Sequence, residues 1–147
     1  MYLLDTNVLS ARAPTKAVRD EAILAWMQGA SERLYLSVVT ALEVEKGIER
    51  LRRSGSERKA AALNEWWVAI EEEYGARLLP LDLAAARAAG RIADRARAFS
   101  PDFRDVAAAA TAETRGLVVI TFNQRHFESL GVEFLNPLNG LPDHSRS

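Results

Sequence analysis

Four polar residues stand where an apolar segment gives way to a helix-forming one, and three of them are acids. Asp5 closes the apolar run Tyr2-Leu3-Leu4 and opens the string DTNVLS. Glu43 lies in SVVTALEVEKG, just past the run Leu34-Tyr35-Leu36. Asp105 lies in DFRDVAAAATAETRG, and Asn123 follows the chain's clearest apolar run in Thr121-Phe122-Asn123. Carboxylates gathered in one pocket repel each other, and their pKa values rise unless a cation is present. Ligand sets made only of oxygen select hard cations such as Mg²⁺ or Mn²⁺. Each residue also has a purely structural reading. Asp5 is placed to cap a helix. Thr40-Ala41-Leu42-Glu43 matches a capping box, with Thr40 at the N-cap and Glu43 reaching back, and spacing alone favours that role. An acid in the first turn of a helix is stabilised by the macrodipole, which accounts for Asp105 and still better for Asp102. Glu45 and Glu49 read as solvated helix face.

The elements that would position these residues alternate along the chain. Short strands are expected at 2–4, 34–37, 77–81, 117–121 and 132–135, with helices at 6–10, 16–28, 40–53, 57–74, 83–98 and 100–115. Leu117-Val118-Val119-Ile120-Thr121 is continuously apolar, as in a strand covered on both faces. Gly29, Ser54-Gly55-Ser56 and Gly116 are stops, and Ser100-Pro101 supplies an N-cap and a first helical residue. The alanine run at 107–110 suits a helix pressed against a neighbour, or simply a strong helix former. Strands alternating with helices give an α/β domain with a central, mainly parallel sheet flanked by helices. Ligands in such sheets bind outside the carboxyl ends of the strands. Asp5 and Asn123 fall there, and Glu43 lies in the helix after another strand. The domain is expected over residues 1–138, with a flexible tail over 139–147.

Composition excludes several classes. At 147 residues the chain fits one domain. There is no apolar run long enough for a membrane span. The start of the chain lacks the basic and apolar regions of a signal peptide, so a cytoplasmic protein is expected. With no cysteine there is neither a disulfide framework nor a thiolate zinc site, which suits a reducing cytosol. A net charge of −1 means that any nucleic-acid contact must come from a local patch or through bound metal. Arginine outnumbers lysine sixteen to three. Arginine suits bidentate phosphate contacts, but high-GC codon usage gives the same bias.

The motifs gain meaning in combination. Their order is strand-DTN, then S-x-x-T-x-x-E-x-x-x-G after the second strand, D-x-x-A-A-A-T-A in a late helix, and an apolar strand followed by T-x-N. In this the chain resembles the PIN-domain family, most closely the VapC toxins of bacterial toxin–antitoxin modules and their FitB-like relatives. The resemblance runs from Met1 to about Pro137 and includes the closing Phe134-Leu135-Asn136-Pro137. It implies a three-layer PIN-like fold and a metal-dependent endoribonuclease, the toxin of a type II module. Asp5, Glu43 and Asp105 match the acids that hold Mg²⁺ or Mn²⁺ and carry catalysis. The fourth acidic position falls on Asn123, a neutral and weaker ligand. Asn7 and Thr121 match polar positions that orient the carboxylates or contact phosphate. An ion held there would neutralise phosphate charge and lower the pKa of a water, giving a nucleophile without a catalytic histidine. His126 and His144 are the only histidines, and His126 falls near the edge of the expected site. No basic side chain in these motifs is an obvious substitute for the cation.

The resemblance also implies partners: an RNA substrate such as a tRNA or an rRNA loop, a VapB-like antitoxin that places an Arg near the carboxylates, and a second copy of the chain. The helix at 57–74 adds its own argument for a homodimer. Trp66 and Trp67 point about 100° apart on it, a wide apolar arc that either faces a partner or caps the edge of the core. Two other α/β classes put an Asp after the first strand. A haloacid-dehalogenase-like phosphatase needs a second Asp two residues on, where this chain has Asn7. A response-regulator receiver needs a late strand-end Lys, and the lysines are Lys16, Lys46 and Lys59. The alternative outside catalysis is a catalytically weak PIN-fold module that acts mainly by binding an antitoxin or RNA. Asn123 speaks for it, and the intact Asp5, Glu43 and Asp105 speak against it.

Overall fold

In a computed structural model that describes residues 1–143, five short strands make one sheet. They are β1 (Tyr2–Leu4), β2 (Leu34–Ser37), β3 (Leu78–Leu79), β4 (Val118–Ile120) and β5 (Phe134–Leu135). Their order is β3-β2-β1-β4-β5, and every pairing is parallel. The helices are α1 (Thr6–Leu9), α2 (Glu21–Gly29), α3 (Val38–Arg53), α4 (Glu57–Tyr74), α5 (Leu83–Arg95), α6 (Phe103–Glu113) and α7 (Gln124–Glu128).

Successive strand residues point to opposite faces, so the sheet divides the core in two. Leu4, Leu36 and Ile120 pack with Val8, Ile23, Trp26, Ile48 and Trp67 from α1 to α4. Leu3 and Val119 pack on the other face with Ala88 and Ile92 of α5, Ala109 of α6, and Phe127 of α7. A sheet covered on both faces explains why its strands read as apolar runs rather than as alternating ones. The expected α/β architecture with helices on both faces stands. α6 is the most enclosed helix: Val106, Ala107 to Ala110, Thr111 and Ala112 are all buried. Small side chains bring it close to α5, whose Ala85, Ala88 and Ala89 are buried too. A close fit of this kind resists enlargement at a cost of about 1–3 kcal/mol per overpacked site, and it fixes Asp105 at its mouth.

Several expected boundaries move, each for a local reason. α2 starts at Glu21 rather than near Lys16, because Asp20 accepts from the Ala22 and Ile23 amides and caps it. Val18, inside the expected helix at 16–28, lies before this start and is 85% exposed. α6 is capped by Asp102, not Ser100. Ser100 sits in the left-handed region at φ 46°, and no other non-glycine among the described residues has a positive φ. α3 begins at Val38, with the Ser37 hydroxyl accepting from the Val39 amide at 3.0 Å. Thr40 is therefore inside the helix and buried, and the Thr40–Glu43 capping box does not form. α4 matches its expected span. Its Trp67 is buried in the chain's own core, and Trp66 packs half-buried against the same cluster, so the tryptophan pair does not call for a partner. Near the end of the chain, Leu141 packs on the first core, and Trp26 Nε1 donates to the Pro142 carbonyl at 2.9 Å. The rest of the expected tail, 144–147 with His144, lies outside the described residues. Among the described residues no helix is long and apolar enough to cross a membrane.

Candidate active site

Strand order reverses between β1 and β4, and this switch point is where a parallel sheet opens a crevice at its carboxyl edge. Asp5 follows β1 directly, and its amide donates to the Ile120 carbonyl of β4 at 2.9 Å. One carboxylate oxygen, Oδ1, accepts from the Thr6 amide at 2.9 Å and caps α1. The other, Oδ2, accepts from Thr121 Oγ1 at 2.7 Å. Thr121 Oγ1 in turn accepts from the Asn123 amide at 2.9 Å. The structural reading of Asp5 thus holds for Oδ1, while Oδ2 is held by the Thr121 hydroxyl.

Glu43 reaches the crevice from α3. Thr6 Oγ1 donates to Glu43 Oε1 at 3.1 Å and, having one proton, accepts from Thr40 Oγ1 at 2.9 Å. The S-x-x-T-x-x-E spacing therefore supplies a cap (Ser37), a buried hydroxyl (Thr40) and the acid on a single helix. Asp105 comes from the first turn of α6, and its Oδ2 lies 2.9 Å from His126 Nδ1 of α7. Asp102 caps α6 by accepting from the Arg104 amide, and it binds the Arg104 guanidinium through both oxygens, at 3.0 and 2.9 Å. That clamp sets Arg104 Nη1 3.8 Å from Glu43 Oε2.

Asp5, Asn7, Glu43, Asp105 and Asn123 line one cleft of about 110 Å³, along with Asp102, Arg104 and His126. That is room for a few water molecules, at about 30 Å³ each in the liquid. The Asp5 carboxyl is pushed up to about 6, chiefly by burial and then by repulsion from Asp105 and Glu43, against the hydrogen bonds from Thr121 and Thr6. Burial also raises Asp105, with the Asp102 charge adding to the shift and His126 opposing it. Asp102, held by Arg104, falls to about 2. The cleft therefore contains acids that burial and mutual repulsion leave short of counter-charge. Its donors are oxygen atoms, the chemistry that suits a hard divalent ion. Among the described residues no three acid or histidine side chains yet converge on one point as a ready cage. Each carboxylate is instead held by its own hydrogen bond. Asn7 Oδ1 accepts from the Phe122 amide at 3.4 Å, while its Nδ2 is buried with no partner among the described residues. The Asn123 side chain forms no cap bond to α7.

All the residues singled out in the sequence gather here, Thr121 through its bond to Asp5. Two contributors were not foreseen, Thr6 and Arg104, and His126, expected only near the edge of the site, reaches Asp105 itself. The expectation that no basic side chain in the motifs substitutes for a cation is corrected by Arg104, which the Asp102 cap swings over Glu43. The string DFRD shows both residues, but their pairing depends on where α6 begins.

The PIN-domain family profile matches residues 2–133. A VapC ribonuclease of Sinorhizobium fredii, Y4jK, is 32% identical over 140 residues, covering 93% of this chain and 97% of the relative. The crystal structure of FitAcB from Neisseria gonorrhoeae superimposes with a TM-score of 0.81 at 30% identity, covering 94% of this chain and 99% of that one. DNA-bound VapBC from Salmonella typhimurium gives a TM-score of 0.65 at 29% identity over 91% and 96% of the two chains.

Proposed function

The chain belongs to the PIN-domain family, and on that premise we propose that it is the toxin of a type II toxin–antitoxin module, a VapC-type endoribonuclease that hydrolyses RNA phosphodiester bonds with Mg²⁺ or Mn²⁺. The observation that carries the reading is that Asp5, Glu43 and Asp105, from three separate elements, line one cleft in which Asp5 and Asp105 are pushed upward.

Asp5, Glu43 and Asp105 would hold the ion. Bound there, it supplies counter-charge for the phosphate and acidifies a water. The chain's own residues do the positioning. Thr121 and the Thr6 amide fix the two oxygens of Asp5, and Thr6 with Thr40 fixes Glu43. His126 fixes Asp105. Asn7 lines the same cleft, and its Nδ2 is a buried donor without a partner among the described residues. Arg104 adds a permanent positive charge at the rim.

The partners are RNA and a VapB-like antitoxin that covers the acidic cleft with an Arg, all within the cytoplasm. A homodimer remains part of the reading. Its support from this chain is the apolar groove between α5 and α6, lined by Ala89, Gly90, Ala93, Phe103 and Val106, with Phe103 67% exposed. Asn123, in place of a fourth acid, favours a second reading as a binding module with weak catalysis. Expression in a bacterial host separates the two. The nuclease reading expects growth arrest, new RNA 5′ ends at discrete sites, and loss of both with Asp105→Asn. Arrest by Asp105→Asn as strong as by the parent chain, with no new ends, would favour the binding module.

A further inference from the structure

The acidic cleft is the middle of a longer groove. On one side it shares Glu43 and Arg104 with a depression of about 390 Å³ along α3, lined also by Lys46, Arg50 and Arg53. On the other it shares Asp102, Asp105 and His126 with one of about 330 Å³, lined also by Phe99 and Arg125. Lys46, Arg50 and Arg53 follow Glu43 at intervals of three and four residues. At 100° per residue they lie within about 80° of it around the helix, and Arg53 is about 15 Å along the axis. All three are exposed. Among the described residues none of them has an acidic partner, whereas Glu49, the acid beside them, is taken by Arg52. Helix-dipole stabilisation explains cations in the last turn, where Arg50 and Arg53 stand, but not Lys46 one turn before it. In a chain with a net charge of −1, three unpaired cations in one line are a local field, not a general basic surface. Phe99, at the opposite end, is 68% exposed beside the left-handed Ser100.

We infer that this groove is a track for single-stranded RNA, with backbone phosphates on Lys46, Arg50 and Arg53, the scissile bond over the acids, and a base stacked on Phe99. The inference rests on the nuclease reading for the identity of the ligand, and it extends that reading to how the strand is held. A row of cations neutralises phosphates whatever the sequence. An exposed aromatic ring accepts only an unpaired base, so it selects loops and tails over duplex. Arg104, clamped by Asp102 between the two halves, continues the cationic line up to the acids.

The test measures binding apart from cleavage, by fluorescence anisotropy of a labelled oligouridine 12-mer in EDTA. Lys46→Ala/Arg50→Ala/Arg53→Ala changes only exposed, unpaired side chains, so circular dichroism should be unaltered. Removing three phosphate contacts is expected to flatten the slope of log affinity against log salt by about 2 and to weaken binding roughly 10- to 100-fold at 0.1 M salt. Phe99→Ala is expected to weaken the single strand roughly ten-fold and to leave an RNA duplex of the same length unaffected. Unchanged affinity and salt slope in the triple variant would overturn the track. So would a triple variant that binds RNA normally but no longer captures the co-expressed antitoxin, since the stripe would then belong to a protein partner. RNA cleavage by the parent chain that persists undiminished in both variants also overturns it and leaves the nuclease reading standing. Binding that follows the expected losses in a chain that cuts no RNA supports the track and refutes the nuclease reading alone.

Discussion

Asp5→Asn separates what the acid does for the site from what it does to the fold. In the metal-free chain, burial and the neighbouring Asp105 and Glu43 push the Asp5 carboxyl up to about 6 from its ordinary 3.8. Because the folded value is raised, the protonated form favours the native state. That stability is fully present below about pH 4 and is lost as pH rises through 6. A shift of roughly two units corresponds to at most about 3 kcal/mol at neutral pH, at about 1.4 kcal/mol per unit. Asparagine is neutral at every pH and remains a good N-cap for α1. Rearranging the bond to Thr121 subtracts about 1 kcal/mol, which leaves a gain near 2 kcal/mol. For a domain of this size that is roughly 4–8 °C in Tm. Calorimetric melts of parent and variant in EDTA at pH 7.5 and pH 4 measure it. The variant should melt higher at pH 7.5, and most of the advantage should vanish at pH 4. An equal difference at both pH values, or a variant less stable at pH 7.5, would refute the claim that Asp5 is held in the cleft at a cost to the fold.

Glu43→Gln should lose most RNA cleavage with little change in Tm, whereas Ser37→Ala should cost about 1 kcal/mol as the true cap of α3 is removed; an active Glu43→Gln enzyme would return Glu43 to a structural role. Asn123→Asp should strengthen Mn²⁺ binding in titration calorimetry by restoring a charge to the cleft, and an unchanged affinity and stoichiometry would make Asn123 a hydrogen-bonding position only. Gly90 is exposed on α5, and a Cβ added there meets no atom within 4 Å. Gly90→Arg should therefore raise Tm slightly, since glycine inside a helix costs about 0.5–1 kcal/mol, while filling the α5–α6 groove and shifting a dimer to monomer in light scattering. A parent chain that is monomeric at micromolar concentration would remove the dimer.

The sequence is legible where one signal acts alone. β4 is announced by its apolar run, and α4 by the Ser54-Gly55-Ser56 break before it. It misleads where two signals compete. Ser100-Pro101 has the form of a cap, but Asp102 provides a better acceptor for the Arg104 amide. Val18 has helical spacing with α2, yet Asp20 stops the helix short of it. In the site, the three acids and Asn123 are visible as a joint motif. The hydroxyl of Thr6 between Thr40 and Glu43, and the ring of His126 on Asp105, are contacts across 34, 37 and 21 residues. Such contacts exist only once β1, α3, α6 and α7 meet at the sheet edge, so no spacing in one chain reports them. Trp67 shows the converse: an apolar arc that looks too wide for one domain is absorbed where α4 packs on the sheet.

If this cleft cuts RNA with a divalent ion held by Asp5, Glu43 and Asp105, cleavage by the purified chain must follow the ion. Cellular RNA incubated with the protein and Mg²⁺ or Mn²⁺ should be cut at discrete sites, left intact in excess EDTA, and cut again when the ion is restored. Asp5→Asn, with unchanged circular dichroism, should cut under none of these conditions. Full cleavage in EDTA, or cleavage by Asp5→Asn at the parent rate, would rule out a metal-dependent nuclease built on these acids.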